Sequence, residues 1–278
     1  MHIFKHSAEL LDFVRHQKAQ GKTVGFVPTM GALHKGHISL LEKSYSENDI
    51  TICSIYVNPI QFNNASDLDK YPRMPEKDME MIKHCCDVVF LPNNEEMYPE
   101  KPSEEYDFGH LDKVLEGAFR PGHFYGVAAV VRRLFEMTEP HNTYFGLKDY
   151  QQLLIVKSIA KQCNFDINIV PCPIVREFDG LAMSSRNLRL SKEEREIAPL
   201  IWKSLNNAAK ILLQEGIEAS KDFILDTFAN NPSFKIEYFE WYHPEKFIPS
   251  QQSDEQFVGL MVVWLGEVRL IDNIIIKK

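Results

Sequence analysis

Val27-Pro28-Thr29-Met30-Gly31-Ala32-Leu33-His34-Lys35-Gly36-His37 is the stretch from which the fold of this chain can be read. Ahead of it Lys22 to Val27 reads as a strand; behind it Lys35 to Glu47 places Ile38, Leu41 and Tyr45 at helical spacing. A strand entering a helix through a glycine-bearing turn opens a βαβ unit. In open α/β sheets ligands bind at the carboxyl ends of strands, and a helix N-terminus there offers unpaired amides to an anion. Gly31 and Gly36 permit close backbone approach. His34 and His37 share one side of a turn, where imidazolium groups suit phosphate oxygens. The bare spacing also fits two surface histidines, or half of a metal site. Zinc needs a third ligand, and none of His110, His123 and His141 stands at a recognisable ligand spacing, which ranks phosphate contact above metal.

The same alternation extends on both sides. Helices are predicted over Ser7 to Gln20, Pro75 to Cys85, Val127 to Glu139 and Asp149 to Cys163, and strands over Thr51 to Val57, Val88 to Leu91, Thr143 to Phe145 and Ile167 to Val170. Repeated β then α units imply a parallel sheet covered by helices on both faces. Pro171, Pro173 and the polar run Ser184 to Asn187 interrupt the pattern, so two domains are expected, residues 1–175 and 176–278. The second opens on Ser191-Lys192-Glu193-Glu194, a capping box from which a long helix should run to about Gln214. A helix near Lys221 to Ala229 and strands over Phe234 to Tyr242, Phe257 to Trp264 and Val268 to Ile276 complete a small α+β module.

Composition narrows the class. With 278 residues, 44% hydrophobic and 25% charged, the chain has the make-up of an ordinary globular protein, which excludes intrinsic disorder and fibrous repeats. A net charge of −8 disfavours nucleic acid or an anionic membrane as partner and requires any anion site to be local. Five cysteines without CxxC spacing argue against a disulfide framework or zinc ribbon and for reduced thiols. Cys85-Cys86 is read as helix packing. Met1 to Leu10 carries charge where a signal peptide needs an apolar run, and no segment is apolar enough to span a membrane.

Three more loops carry candidate chemistry. Gly146-Leu147-Lys148-Asp149 precedes a helix: Lys148 suits phosphate, Asp149 either caps the helix or holds a ribose hydroxyl, and Gln152 points at the same crevice one turn on. Met183-Ser184-Ser185-Arg186 offers two hydroxyls and a guanidinium to a triphosphate, although taken singly the segment reads first as an ordinary polar linker. Asn58 and Gln61, after the second strand, are neutral groups that can orient a hydroxy acid, although Asn58-Pro59 is also a plain turn signal. Arg120-Pro121-Gly122-His123-Phe124 reads as a turn or a mobile lid.

Taken in register, PTMGALHKGH (28–37), VNPIQF (57–62), YPR (71–73), EGAFRPGHF (116–124), FGLKDYQQL (145–153), DGLAMSSRN (179–187) and WLGEVRLIDN (264–273) resemble the pantoate-beta-alanine ligase family, the pantothenate synthetases. The resemblance implies a Rossmann-like domain of the HxGH nucleotidyltransferase type binding ATP and pantoate, and an α+β lid domain. It implies ATP-dependent condensation of (R)-pantoate with β-alanine through a pantoyl adenylate, releasing AMP and pyrophosphate. By position in the motifs, Met30 to His37, including Gly31, Ala32, Leu33, Lys35 and Gly36, would line ATP. Gly146, Leu147, Lys148 and Asp149 would hold its phosphates and ribose, Val175 its adenine through the backbone, and Met183, Ser184, Ser185 and Arg186 its triphosphate. His37, His34, Lys148 and Arg186 would be catalytic, and Gln61, Gln152 and Asn58 would bind the organic substrates. Mg2+ is expected on the β and γ phosphates with its protein ligands undefined, and a cytoplasmic homodimer is implied. The chain departs from the family's usual pattern at Lys77, Ala129, Arg133 and Leu147, none of them among the histidines, glutamines, Lys148 or the Ser-Ser-Arg set.

Overall fold

The structure is a computed structural model and describes residues 1–63 and 65–278. The chain forms two compact units, Met1–Pro173 and Ile174–Lys278.

In the first unit the elements run β1 (His2–Phe4), α1 (Ser7–Ala19), β2 (Val24–Thr29), α2 (Lys35–Glu47), β3 (Ile50–Ile55), α3 (Ala65–Asp69), α4 (Pro75–Ile82), β4 (Val88–Phe90), α5 (Asn94–Met97), α6 (Glu116–Phe119), α7 (His123–Thr138), β5 (Asn142–Gly146), α8 (Tyr150–Gln162) and β6 (Asn168–Cys172). Short 3-10 turns cover Pro59–Gln61 and Leu147–Asp149. All six strands pair in parallel in the order β1-β4-β3-β2-β5-β6. The chain thus builds outward from β2 in one direction and then returns to its other side with β5. The crevice between the carboxyl ends of β2 and β5 is the topological switch point, where this architecture binds ligands.

The parallel sheet and Rossmann-like fold agree with the sequence reading, with local differences. β1 has no counterpart in that reading, because three residues give no periodicity. In α2 the buried residues are Leu40, Leu41 and Ser44, while Tyr45 is exposed. The expected Ile38, Leu41, Tyr45 stripe is therefore rotated, because Ser44 satisfies its hydroxyl against Thr51 Oγ1 at 2.9 Å and so tolerates burial. α2 lies so close to β2 that a Cβ on Gly25 would stand 2.2 Å from Ser44 Oγ. Cys85 and Cys86 are buried, but in the turn after α4 rather than on the helix.

The second unit holds α9 (Lys192–Ile197), α10 (Leu200–Glu215), α11 (Ile217–Ala229) and an antiparallel sheet of β7 (Phe234–Tyr242), β8 (Gln256–Leu265) and β9 (Val268–Lys277), preceded by a 3-10 turn over Ser185–Arg189. The capping box forms as read: Glu194 N–H donates to Ser191 Oγ at 3.2 Å and Ser191 N–H to Glu194 Oε2 at 2.8 Å. The single long helix expected after it is two helices, because Pro199 has no N–H to continue the ladder. Leu205, Leu212, Trp241, Phe257 and Met261 lie at the centre of its core.

Candidate functional site

The turn joining β2 to α2 is held almost wholly by side chains. Gly31 and Ala32 both have left-handed backbones, φ +81° and +49°. Gly31 N–H donates to Thr29 Oγ1 at 3.2 Å, Ala32 N–H to Asp78 Oδ2 at 2.9 Å and Leu33 N–H to Asp78 Oδ1 at 2.7 Å. His34 is the N-cap of α2: its Nδ1 accepts from Gly36 N–H at 3.1 Å, and its own N–H donates to His37 Nδ1 at 3.4 Å. Five of the amides that the sequence offers to an anion are therefore already bound to side-chain acceptors.

What the turn presents instead is a pair of imidazoles, with ring centroids 4.0 Å apart. Because each Nδ1 accepts from the backbone, the proton of each neutral ring sits on Nε2. Burial holds His34 down at about 4, with the Lys148 charge adding to the effect. His37 is held well below the usual imidazole range by burial, then by His34 and Lys148. Both rings are thus neutral N–H donors beside the Lys148 charge.

Lys148 reaches this place because β5 pairs with β2, so the turn Leu147–Asp149 emerges beside Met30–His37. Its ammonium lies 3.9 Å from Asp149 Oδ2. Asp149 stands at the N-cap position of α8 without a side-chain capping bond, so capping is not its role. The side chain of Gln152, half-buried on the first turn of α8, makes no hydrogen bond among the described residues. On the other side, Gln61 Nε2 donates to Met30 Sδ at 3.0 Å, which joins the β3 loop to the β2 turn.

Asn58 is 1% exposed and internally committed: Nδ2 donates to the Gly126 carbonyl at 2.9 Å and to Gln61 Oε1 at 3.2 Å, while Oδ1 accepts from Tyr98 at 3.0 Å. His123 Nδ1 donates to the Gln61 carbonyl at 2.8 Å, and its Nε2 accepts from Arg120 Nη1 at 3.0 Å. The Arg120–Phe124 segment is the turn entering α7, one of the two alternatives read for it. Asp78 and Tyr98 were outside the candidates read from sequence, and His123 was weighed there only as a metal ligand and within a turn or lid. Their partners lie 45, 40 and 62 residues away, and no spacing rule spans such distances.

Val175 and Met183–Arg186 belong to the second unit. Met183 N–H donates to the Val175 carbonyl at 3.0 Å, closing a short ladder with Arg176 opposite Ala182. Ser184 caps the following 3-10 turn, its Oγ accepting from Arg186 N–H at 3.2 Å. Arg176 anchors the ladder through Asp272, with Nη1–Oδ2 at 2.6 Å and Nη2–Oδ1 at 3.0 Å, and lies over the Trp202 ring.

Residues 2–275 match the family model described as Pantoate-beta-alanine ligase. The chain belongs to the pantoate-beta-alanine ligase family. It is 46% identical over 277 residues to the pantothenate synthetase of Porphyromonas gingivalis, covering 99% of each chain. Identity to the pantothenate synthetase of Bacteroides fragilis is 47% over 264 residues, covering 94% of each. Among solved structures, the pantothenate synthetase of Thermus thermophilus superposes with a TM-score of 0.92 at 39% identity, covering 99% of each chain. The pantoate-beta-alanine ligase of Francisella tularensis, solved with β-γ ATP and β-alanine, gives a TM-score of 0.81 at 35% identity, covering 99% of this chain and 97% of that one. The resemblance read from seven motifs thus extends along the chain, and the turn that carries His34 and His37 belongs to a member of this family. No helix among the described residues is long and apolar enough to cross a membrane.

Proposed function

We propose that the chain joins pantoate to β-alanine in two displacements at the carboxyl ends of β2 and β5. In the first, a pantoate carboxylate oxygen attacks the α-phosphorus of ATP, and pyrophosphate leaves with the broken P–O bond. In the second, the β-alanine amine attacks the acyl carbon, its surplus proton is lost, and AMP departs. A carboxylate has no good leaving group and adenylation supplies one, so the protein's work is positioning and charge stabilisation.

The observation that carries this reading is the His34–His37 pair, two Nε2–H donors oriented by backbone contacts, with the Lys148 charge acting on both. We assign His34 and His37 to phosphate oxygens; negative charge arriving there raises their proton affinity, and His37 is then the acid at the departing pyrophosphate. Lys148 stabilises the same charge, and Met30 to His37 with Gly146, Leu147 and Asp149 line the nucleotide. Gln61 and Gln152 hold pantoate, Gln61 also serving the amine step, and Asn58 acts by orienting Gln61. The same proposal gives Val175, Met183, Ser184, Ser185 and Arg186 their share of the nucleotide.

Among the described residues no group of three His, Cys, Asp or Glu side chains could hold a metal, and both Asp78 oxygens are taken by amides. These residues do not make a resident magnesium site, so Mg2+ enters as part of the MgATP substrate. The reading extends to a cytoplasmic homodimer, supported by the family resemblance and, for the compartment, by five free cysteines. Sedimentation of the purified protein tests the dimer.

The decisive assay is purified protein with MgATP, pantoate and β-alanine. AMP formation that requires both organic substrates is the expected result. ADP release, or AMP formation indifferent to β-alanine, overturns the proposal and points to another nucleotidyltransferase of this fold.

A further inference from the structure

We propose that Asp78 is a positioning residue of this site: it supplies the resident anion that fills the backbone nest of the β2–α2 turn and thereby fixes His34 and His37. The proposal rests on the reading of those histidines as phosphate donors. Asp78 sits on the first turn of α4 and is 1% exposed. Its two oxygens take consecutive amides, Ala32 at 2.9 Å and Leu33 at 2.7 Å, and a Cβ on Gly31 would stand 3.1 Å from Oδ2.

Consecutive N–H groups in a turn conformation form a concavity that attracts anions, and phosphate loops offer that concavity to the ligand. Here the positive-φ pair Gly31 and Ala32 shapes such a concavity, and the protein's own carboxylate occupies it. Two things follow. The ligand's charge is directed to the imidazole Nε2 groups rather than to these amides. And the left-handed geometry at Ala32, which a non-glycine residue adopts only when its surroundings hold it there, is held by a side chain 46 residues distant. His34 directly follows Leu33, so relaxation of the turn displaces the cap, and with it the His34–His37 pair. A displacement near 1 Å at such a site lowers rates on the order of a hundredfold.

The test uses the full-length enzyme and pantoate-dependent exchange of labelled pyrophosphate into ATP. Asp78→Ala is expected to lose on the order of a hundredfold in exchange rate, with the pantoate KM within about twofold of wild type. Sodium formate, a carboxylate that fits the vacated space, is expected to restore exchange saturably by about tenfold or more, and sodium chloride at equal ionic strength is not. An exchange rate within about threefold of wild type, or a loss that formate does not relieve, overturns the proposal. Should Asp78→Ala fail to fold, amide hydrogen exchange on the wild-type enzyme decides. Ala32 and Leu33 are then expected to be protected without ATP and unchanged by it; exchange that is fast without ATP and slowed by it overturns the proposal. His37→Ala, measured in parallel, separates the two readings: wild-type exchange in that variant refutes the phosphate role of the histidines, whatever Asp78 does.

Discussion

The imidazole of His34 lies with its centroid 4.0 Å from that of His37, and the backbone N–H of His34 points at the Nδ1 of its neighbour. One residue thus serves as helix cap, as partner to the second ring and as donor through its own Nε2.

These duties separate by substitution. His34→Asn keeps an N-cap acceptor and loses the Nε2 donor, so its stability should stay near wild type while adenylation falls on the order of a hundredfold. His34→Ala should lose the same activity and in addition about 1 kcal/mol of stability. His37→Ala should lose adenylation as strongly as His34→Asn. Denaturant melts beside pyrophosphate exchange distinguish the cases; wild-type exchange in His34→Asn or His37→Ala would remove that histidine from the chemistry.

Gln152 and Gln61 should respond differently although both are assigned to pantoate. The Gln152 side chain makes no hydrogen bond among the described residues, whereas Gln61 is buried between Met30, Asn58 and the turn into α7. Gln152→Ala is expected to raise the pantoate KM by about tenfold, leaving the ATP KM and the melting temperature unchanged. Gln61→Ala should lower kcat as well and cost about 1–3 kcal/mol of stability, because it removes one of the two acceptors of the buried Asn58 Nδ2 and leaves only the Gly126 carbonyl. Equal effects of Gln152→Ala on ATP and pantoate would contradict the assignment.

Acid should destabilise the first unit through its buried histidines. Burial holds both His34 and His123 at about 4 against an ordinary value of 6.5. Above pH 6.5 both are neutral folded and unfolded, and stability is fully present. Between pH 6.5 and 4 the unfolded chain takes up protons that the folded chain refuses, so stability falls as pH falls, by up to about 1.4 kcal/mol per pH unit for each histidine. Urea titrations across this window should show that slope, and His123→Gln should flatten it by one proton. A slope unchanged in the variant would show that His123 titrates normally.

In the second unit Asp272 holds Arg176 from 96 residues away with its carboxylate almost fully buried. Removing one partner of such a pair leaves the other charge without its counter-charge, Arg176 keeping only the Gly180 and Asn273 carbonyls, so Asp272→Ala should destabilise this unit by about 3–5 kcal/mol. Arg176→Met, which keeps apolar contact with Trp202, should still leave the buried Asp272 carboxylate without its cationic partner, although Oδ1 keeps the Asn273 N–H at 2.8 Å, and cost a similar amount. Melts of the full chain read both; a loss below about 1 kcal/mol in either would show that the pair is solvated.

Much of both units was legible because its cues are local. Strand and helix periods repeat within a dozen residues, so α2 and β7 have the bounds that the pattern predicts, and the capping box at Ser191 forms as written. Where a cue was local but outweighed, the reading slipped: Pro199 divides the helix expected to run from Ser191, and Ser44 replaces Tyr45 in the buried face of α2. The candidate loops were legible as motifs, but their division of labour was not. Asn58 looks like a substrate ligand in sequence and is a clamp on Gln61 in space.

By itself the sequence determined the alternation of strands and helices, the loops that carry donors, and through seven motifs in order the family. Those properties follow from the spacing of apolar residues and from residue identity, which neighbours along the chain express. Only the tertiary structure decided that the amides of the β2–α2 turn are closed by Asp78, that His34 and His37 are neutral and present Nε2, and that Lys148 stands beside them. Each depends on desolvation or on contacts across 45 residues or more, and a proton's position on an imidazole is set by what surrounds the ring rather than by what precedes it.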